Sequence, residues 1–330
     1  MQTSSGKKHD TFAEDILKGL SSQPKFLSSK YFYDDEGSRL FQKIMELPEY
    51  YLTRSEFEIF QTKRAEIFEA FTQNSAEFDL IELGAGDGTK TAVLIDYFLK
   101  QNVDFTYSPI DISQEAVDIL TEKFKTEFPD LNMNAKVGDY FRILETLKAE
   151  SKRPKILMFL GSNIGNFSRE DSISFFKNLR DVMNENDLLF TGFDLQKDPH
   201  VILAAYDDAQ GVTAKFNINL LRRINRELGA NFDLEKFSHY AIYRPNECAA
   251  RSFLISREEQ DISIKTLNKT FHFKAWEPIF MEISQKYSLE IIENFAETSG
   301  FEISENFFDS RKYFVDSLWR ISAEKHDSQT

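Results

Sequence analysis

Apolar and polar positions follow two different rhythms along the chain, and the change between them predicts its organisation. Between Phe78 and Asp194, short apolar runs of strand length alternate with longer stretches in which apolar residues recur every three or four positions. This order is typical of βαβ units in a doubly wound parallel sheet. The predicted strands span residues 78–83, 103–110, 133–138, 155–160 and 187–193, and the predicted helices span residues 88–100, 113–127, 140–150 and 168–184.

Helical patterns precede this region. Residues 12–20 predict a short amphipathic helix, and residues 38–46 predict a second helix that ends before Pro48. The stretch Thr53-Arg54-Ser55-Glu56 has the spacing of a capping box, in which the glutamate reaches back to the start of its own helix. We therefore expect a long helix that begins at this box and ends near Phe71.

The rhythm changes again after Asp198. Residues 199–209 and 213–228 predict helices, whereas residues 239–275 alternate as an antiparallel patch with a hairpin turn at Pro245-Asn246. This segment is too long for a loop and short for an independent domain, so we predict an insertion that caps the sheet. The remaining predicted elements are a helix over residues 288–299 and an antiparallel pair of strands over residues 301–308 and 313–321.

A glycine-rich turn follows the first predicted strand. The stretch DLIELGAGDGTKT, residues 79–91, leads from an apolar run through Glu82 into glycines spaced G-x-G-x-G and then into a helix. In the dinucleotide fingerprint G-x-G-x-x-G, the helix N-terminus receives a pyrophosphate, and Asp87 would stand beside that anion. A nucleoside without phosphates fits better, and S-adenosylmethionine (SAM) is such a nucleoside. An unrelated structural turn remains the alternative.

Composition narrows the class of function. The chain has 330 residues, of which 41% are hydrophobic and 28% charged, as in a soluble globular protein of one large or two ordinary domains. Its formal net charge of −14 argues against nucleic acid as a partner. The five histidines lack the spacing of metal ligands, and Cys248 is the single cysteine, so we expect no metal site and a reducing cytoplasm.

The ends of the chain are polar. Residues 1–10 lack the apolar core of a signal peptide, and no apolar run reaches the length of a membrane span, so we expect neither. Residues 1–10 and 323–330 are expected to be mobile.

Acidic residues end the second and third predicted strands. Asp111 is placed to accept hydrogen bonds from two ribose hydroxyls, although a helix N-cap is an equal alternative. Asp139 and Tyr140 could bind an adenine amino group and stack beside its ring, although aspartate after glycine is also ordinary turn chemistry.

The fourth strand ends in FLGSNIGNF, residues 159–167. Gly161 and Gly165 open the backbone, and the Asn166 amide could hold a substrate carboxylate without adding charge. The alternative is a glycine turn followed by a helix cap at Ser168. Before the core, four tyrosines offer hydroxyl groups, for which aromatic packing is the plain alternative: Tyr31, Tyr33, Tyr50 and Tyr51.

Taken together, these motifs resemble a known family. Over roughly residues 20–325 the chain is similar to the SAM-dependent histidine Nα-methyltransferases of ergothioneine biosynthesis. The resemblance rests on YFYDDEGSRLFQKIMELPEYYLTR, IELGAGDGTKT, YSPIDIS, VGDY, FLGSNIGNF, AAYDDAQGVTAKFN and MEISQKYS, in that order. It implies an α/β fold with a Rossmann-like class I methyltransferase core, whose mostly parallel seven-stranded sheet ends in an antiparallel C-terminal strand. It also implies a second, smaller α+β substrate-binding lobe.

The resemblance implies a division of the chain into six parts. They are a mobile N-terminus and first helix (1–20), N-terminal helices of the substrate lobe (21–75), the first part of the core (76–195), the inserted substrate-binding lobe (196–286), the C-terminal helix and strands of the core (287–322) and a mobile tail (323–330).

The resemblance also implies the site, residue by residue. The residues expected to bind SAM are Tyr33, Gly84, Gly86, Lys90, Asp111, Asp139 and Tyr140. Those expected at the α-amino and carboxylate end of the substrate are Tyr50, Gly161, Asn166 and Tyr206. Of these, Tyr50 and Asn166 are the candidate catalytic residues because they would orient the free amine. Glu282 and Ser284 would hold the imidazole, since its nitrogens need an acceptor and a hydroxyl; an exposed strand carboxylate is the alternative for Glu282.

The implied reaction is the transfer of methyl groups from SAM to the α-amino group of L-histidine, three times, to give hercynine. One departure bears on the substrate: Ala249-Ala250-Arg251-Ser252 stands where we expect an Ile-Glu-Met stretch under the ring. The alternatives are a methyltransferase of the same fold that acts on another amino acid or small amine, a non-catalytic SAM-binding module, and a nicotinamide dehydrogenase. We expect a cytoplasmic monomer with a small-molecule substrate and no nucleic-acid or membrane partner.

Overall fold

A computed structural model of the chain describes residues 4–150 and 152–323. These residues form two compact units. The first unit lies within Met1–Tyr51 and Lys197–Ser284, and the second within Leu52–Gln196 and Gln285–Thr330. The predicted mobile residues 1–3 and 324–330 lie outside the described part of the chain.

Helices and strands alternate along the chain. The α-helices are α1 (Ser4–Ser21), α2 (Asp35–Glu46), α3 (Tyr51–Thr72), α4 (Thr91–Lys100), α5 (Gln114–Glu127), α6 (Tyr140–Glu150), α7 (Arg169–Val182), α8 (Pro199–Ala204), α9 (Val212–Leu228) and α10 (Leu289–Thr298). The strands are β1 (Lys25–Phe26), β2 (Glu77–Leu83), β3 (Asp104–Asp111), β4 (Lys136–Val137), β5 (Lys155–Phe159), β6 (Leu188–Asp194), β7 (Phe237–Arg244), β8 (Ala249–Ser256), β9 (Gln260–Ile264), β10 (Lys269–Phe273), β11 (Pro278–Gln285), β12 (Phe301–Phe308) and β13 (Phe314–Ile321).

The second unit is built on a seven-stranded sheet of order β12-β13-β6-β5-β2-β3-β4. The strands from β6 to β4 run parallel, whereas β13 is antiparallel to both β6 and β12. All five residues of β5 are buried, as expected for a central strand covered on both faces. The predicted fold class is therefore confirmed, including its antiparallel C-terminal strand.

The first unit is α+β. It contains a four-stranded sheet of order β1-β11-β8-β7 and a separate hairpin of β9 and β10. Its apolar core includes Phe12 of α1, Leu40 of α2, Leu220 of α9 and Leu254 of β8. Along the sequence, the boundaries between the units follow residues 51, 196 and 284, whereas the predicted lobe boundaries follow residues 75, 195 and 286.

Several predicted elements have different bounds in the structure, and three of them differ for a visible reason or by the most residues. Helix α1 begins at Ser4 rather than Phe12, and the predicted strand over residues 133–138 contracts to β4, because Met133 makes only an isolated bridge to Tyr107. Helix α8 ends at Ala204 rather than at residue 209. There Asp208 accepts hydrogen bonds from the backbone N–H groups of Val212 (2.9 Å) and Thr213 (2.7 Å), which starts α9.

Among the described residues, none of the helices combines the length and the apolar character that crossing a membrane requires.

The glycine turn between β2 and α4 has one packed face and one open face. Gly86 and Gly88 have φ values of +58° and +66°, in the left-handed region that favours glycine. A Cβ on Gly88 would lie 2.4 Å from Leu120 Cδ1 and 2.7 Å from Phe124 Cζ, whereas a Cβ on Gly86 would meet no atom of the described residues within 4 Å. The turn therefore packs against α5 at Gly88, whereas the space next to Gly86 is open.

We predict that Gly88→Ala destabilises the protein more than Gly86→Ala does. Both variants add the strain of a left-handed alanine, about 1 to 2 kcal/mol. Only Gly88→Ala also pushes Leu120 and Phe124 aside, which adds roughly 1 to 3 kcal/mol. Urea unfolding of the two variants measures the difference, and equal losses of unfolding free energy would contradict the packed face.

Candidate functional site

Three turns at the carboxyl ends of β2, β3 and β4 are joined by backbone hydrogen bonds. The N–H of Gly84 donates to the carbonyl of Ile110 (2.8 Å), and the N–H of Gly138 donates to the carbonyl of Asp111 (2.9 Å). A Cβ on Gly84 would lie only 3.0 Å from the Tyr140 hydroxyl. The residues predicted to bind the nucleoside, from the glycine turn to Asp139 and Tyr140, therefore meet at one edge of the sheet.

The Asp111 carboxyl is held in place by its own turn. Its Oδ1 accepts the N–H of Ser113 (2.8 Å), and Ser113, not Asp111, is the N-cap of α5. The N-cap alternative for Asp111 is therefore wrong. Burial raises the pKa of Asp111, and the N–H groups of Ser113 and Ile112 oppose that rise. Such a half-desolvated acceptor favours ligands that bring hydroxyl donors.

The hydroxyl of Tyr140 is affected by the charge of the Asp111 carboxyl as well. Burial, followed by the charges of Asp111 and Asp139, raises the pKa of Tyr140 to about 12. The phenol therefore stays neutral and can donate a hydrogen bond at any ordinary pH. Asp139 accepts the N–H of Arg142 (3.2 Å) at the start of α6, so the turn-chemistry alternative for Asp139 describes part of what it does.

Hydrogen bonds from neighbouring elements hold the loop after β5 in place. Ser162 has φ +54°, and its hydroxyl accepts the N–H of Asp194 (3.0 Å) at the end of β6. The Tyr287 hydroxyl donates to the carbonyl of Ile164 (3.1 Å). Asp194 also forms a fully buried ion pair with Lys286 (2.7 Å). These contacts hold the short 3-10 helix Asn163–Asn166 rigidly, with the Asn166 side chain exposed at its end.

Ser168 caps the next helix, as the alternative for this loop expected. Its hydroxyl accepts the N–H of Asp171 (3.1 Å) at the start of α7. The cap and the exposed Asn166 coexist, because Phe167 lies between them in an extended conformation. The cap therefore leaves the Asn166 amide available to a ligand.

Glu56 does not form the predicted capping box, and that prediction is wrong. Helix α3 begins at Tyr51, so Glu56 lies inside the helix rather than in its first turn. The Glu56 carboxylate is fully buried, accepts the N–H of Gly161 (2.7 Å) and forms an ion pair with Lys90. Sequence spacing could not reveal these partners, because Gly161 lies 105 positions away along the chain.

Asn163 is a second residue that the sequence analysis did not single out. Its side-chain amide lies 3.8 Å from where a Cβ would stand on either Gly84 or Gly161. It therefore borders both the glycine turn and the loop after β5. The only available signal was its place within FLGSNIGNF.

In the first unit, Tyr206 and Ser284 are joined directly. The Tyr206 hydroxyl donates to the Ser284 hydroxyl over 2.6 Å, and both residues are buried. His239 Nε2 lies 2.9 Å from the Tyr206 carbonyl, and burial lowers the pKa of His239, which keeps it neutral. Glu282 lies two positions before Ser284 on β11, partly buried.

The structure places Tyr33 with this group. Its ring packs on Phe41 (5.4 Å between centroids) and Phe216 (5.6 Å). Although 47% of Tyr33 is exposed, burial and then the nearby Glu282 and Tyr206 raise the pKa of its hydroxyl. The glycine turn belongs to the other unit, so Tyr33 is the one predicted cofactor residue that lies in the first unit.

Tyr50 also lies in the first unit and is half-buried, with its ring 6.1 Å from that of Phe41. The neighbouring Tyr51 is buried, and its hydroxyl accepts a hydrogen bond from Lys197 (3.0 Å). Aromatic packing, the plain alternative for these tyrosines, therefore accounts for part of their surroundings, while the hydroxyl of Tyr51 is also used.

A family model described as a SAM-dependent, histidine-specific methyltransferase matches residues 12–321. The chain belongs to this family.

The chain is also similar to curated relatives. It is 35% identical to a histidine N-alpha-methyltransferase of Mycolicibacterium smegmatis, over 87% of this chain and 88% of the relative. It is 36% identical to the enzyme of the same name from Mycobacterium tuberculosis, over 84% and 85% of the two chains. It is 28% identical to ergothioneine biosynthesis protein 1 of Schizosaccharomyces pombe, over 84% of this chain and 36% of the relative.

Because the chain belongs to this family of methyltransferases, it is a SAM-dependent enzyme. The dehydrogenase and the non-catalytic SAM-binding module are therefore set aside. The open space above Gly86 and the hydroxyl and carboxyl groups around it fit SAM. Among the described residues there is no cluster of histidine, cysteine, aspartate and glutamate arranged to hold a metal ion.

The segment that departs from the expected family pattern lies on β8. Ala249, Ala250 and Ser252 are buried, whereas Arg251 pairs with Glu247 over 2.8 Å. Three of the four residues in this segment are therefore small, buried side chains.

Glu82, at the end of β2, is a buried acid beneath the turn. Its two oxygens accept hydrogen bonds from the hydroxyls of Thr91 (2.9 Å) and Tyr107 (2.5 Å). Burial raises the pKa of Glu82 to about 7, although these two hydrogen bonds oppose the rise.

We predict that Glu82 makes stability fall as the pH rises. Folding raises the pKa of Glu82 from 4.5 to about 7. Protonated Glu82 therefore adds to the free energy of unfolding in full below the unfolded pKa, and this contribution is lost as the pH rises through 7. Glu82→Gln stays neutral, so it should match the wild type at pH 5 and exceed it at pH 8 by on the order of 3 kcal/mol. Urea unfolding at both pH values checks this; a difference that does not change with pH would refute it.

Proposed function

We propose that the enzyme transfers methyl groups from SAM to the α-amino group of L-histidine, three times in succession, to give hercynine. What carries the proposal is family membership over residues 12–321, together with identity of 35% to a histidine N-alpha-methyltransferase across nearly the whole of both chains. The same comparison favours histidine over another amino acid or amine, which remains the second candidate because of the small residues at Ala249–Ser252.

The cofactor would lie on the second unit. The open face at Gly84 and Gly86 would receive the nucleoside, Asp111 would accept the ribose hydroxyls, and Asp139 with Tyr140 would border the adenine. Lys90 would attract the carboxylate of the amino-acid tail. When bound, SAM supplies a methyl group on a sulfonium, which an amine lone pair displaces in line.

The family resemblance implies which residues would hold the substrate. Tyr50, Gly161, Asn166 and Tyr206 would bind its α-amino and carboxylate end. Glu282 would accept an imidazole N–H, and Ser284, whose hydroxyl already accepts from Tyr206, would donate to the other ring nitrogen. Tyr33 would contact the cofactor tail, as the family resemblance implies.

The enzyme's own task is to aim a free amine. The α-amine is mostly protonated near neutral pH, so a proton must leave before each transfer. Tyr50 and Asn166 would orient the resulting lone pair, and positioning of this kind supplies much of the barrier reduction. No general base is needed in this scheme, since solvent can take the proton between rounds. The trimethylated nitrogen is a quaternary ammonium without a lone pair, so it cannot attack a fourth methyl group, and the sequence would end there.

We further propose that the enzyme acts as a monomer in the cytoplasm, without nucleic-acid or membrane partners. The net charge of −14 opposes binding to polyanions, and a single cysteine suits a reducing compartment.

We predict that the purified enzyme with SAM converts histidine to mono-, di- and trimethylated products. Mass spectrometry of each of the proteinogenic amino acids, incubated separately with the enzyme and SAM, tests this directly. Histidine should be the preferred acceptor. If another amino acid were methylated and histidine were not, the proposed substrate would be wrong, but the methyltransferase activity would still hold.

We predict that Glu282→Ala and Asp111→Ala have reciprocal effects on the two KM values. Loss of a charged hydrogen bond costs about 1.5 to 3 kcal/mol, so Glu282→Ala should raise the KM for histidine roughly 10- to 100-fold and spare that for SAM. Asp111→Ala should do the reverse. The matched controls are Glu258→Ala and Asp118→Ala, both exposed carboxylates. If Glu282→Ala raised both KM values alike, its role would be structural, and unchanged SAM affinity in Asp111→Ala would remove Asp111 from the cofactor site.

A further inference from the structure

The Glu56 carboxylate connects two parts of the second unit. It is fully buried on α3 and uses both oxygens: Oε1 accepts the N–H of Gly161 (2.7 Å), and Oε2 pairs with the ammonium of Lys90. Gly161 follows β5, and Lys90 lies at the start of α4. One carboxylate thus links the loop after β5 to the end of the glycine turn.

The surrounding backbone makes room for this carboxylate. A Cβ on Gly192 of β6 would lie 2.5 Å from Glu56 Oε1, so only glycine fits there without displacing it. Gly161 has φ +74°, and a Cβ on it would lie 3.5 Å from Lys90 Nζ. The ammonium of Lys90 and the backbone of Gly161 are therefore close neighbours, and both are directed by the same acid.

A second buried acid lies beside this pair. Asp316 on β13 is fully buried, and neither of its carboxyl oxygens has a hydrogen-bond partner among the described residues. Burial, and then the charge of Glu56, raise the pKa of Asp316 well above its usual value. Burial alone would lower the pKa of Lys90, but the Glu56 carboxylate raises it, so Lys90 stays charged.

A lysine ammonium is a point charge on a flexible stem, and nothing in its own structure fixes its direction. One of its three N–H donors is engaged by Glu56, which limits where the other two can point. The side chain of Lys90 is 22% exposed, against 1% for that of Glu56, so Lys90 lies nearer to solvent than the acid that holds it.

We propose that Glu56 is a positioning residue for the cofactor: it orients Lys90 and the Gly161 backbone so that the enzyme binds the carboxylate of the SAM amino-acid tail. This inference rests on the proposed role of Lys90 in SAM binding. Glu56 itself does not touch the cofactor; it acts through its two partners.

The test is a double-mutant cycle on SAM affinity, measured by calorimetry without methyl acceptor. Glu56→Gln keeps the size and an oxygen for the Gly161 N–H but removes the charge that holds Lys90. It should raise the Kd for SAM roughly 10- to 100-fold, the effect of one charge-assisted contact. Lys90→Met should do the same. In the Lys90→Met background, Glu56→Gln should change the Kd less than about two-fold, because its partner is gone.

Glu66→Gln is the matched control, since Glu66 lies exposed on the same helix, and its Kd for SAM should equal that of the wild type. Should Glu56→Gln fold poorly, Glu56→Asp takes its place in the same cycle: it keeps the charge at a shorter reach and should weaken SAM binding by a smaller factor, again only when Lys90 is present.

Two results would overturn the inference: a Kd for Glu56→Gln within two-fold of the wild type, or an equal loss in the presence and absence of Lys90, which marks a merely structural role. The proposed function fails separately. If wild-type enzyme leaves histidine unmethylated while the cycle shows coupling, Glu56 keeps its role and the substrate is wrong.

Discussion

The candidate site depends on a constraint of parallel sheets. Neighbouring parallel strands end at the same edge, where their turns must satisfy backbone groups that the ladder no longer pairs. Here the turns satisfy one another, as when the N–H of Gly84 donates to the carbonyl of Ile110. Because these bonds lie within the backbone, the turns keep their shape whatever the side chains above them bind. The open space over Gly86 is thus a property of the fold itself.

The charges beneath this edge suit a cationic ligand without phosphates. Glu56 is paired with Lys90, burial raises the pKa of Asp316, and burial raises the pKa of Glu82 to about 7. A diphosphate would add negative charge next to Asp87 and above these acids. SAM instead brings a sulfonium cation together with one carboxylate, and in the proposed site the single ammonium of Lys90 would bind that carboxylate. The same reasoning explains why Lys90 needs a fixed partner: a lone mobile cation would repel the sulfonium from many positions.

Local patterns revealed most of the fold because its elements are locally consistent. The βαβ alternation between Phe78 and Asp194 predicted the parallel strands, since each apolar run had to be buried on both faces. Bounds were wrong where side-chain contacts within a turn outweighed the apolar pattern. Helix α8 stops at Ala204, and the nearby Asp208 carboxyl accepts the first N–H groups of α9 instead.

The site was less accessible to sequence reasoning. Turn residues such as Gly84 and Asp111 could be found because strand ends carry binding residues as a rule. Glu56 could not, since its spacing with Thr53 imitates a capping box and its true partner Gly161 lies 105 positions away. Tyr33 was likewise only partly predictable. Its motif suggests a cofactor contact, but only the folded chain shows that Tyr33 belongs to the first unit.

The most direct test of the account is to locate the transferred methyl group on the product. The enzyme would be incubated with SAM carrying a ¹³C-labelled methyl group and with histidine labelled with ¹⁵N at the α position, and the product analysed by NMR. The account predicts one-bond coupling between the labelled methyl carbons and the α-nitrogen, increasing to three equivalent methyl groups. Labelled methyl carbons that show no coupling to the α-nitrogen, because they reside on the imidazole ring or on another acceptor, would contradict it.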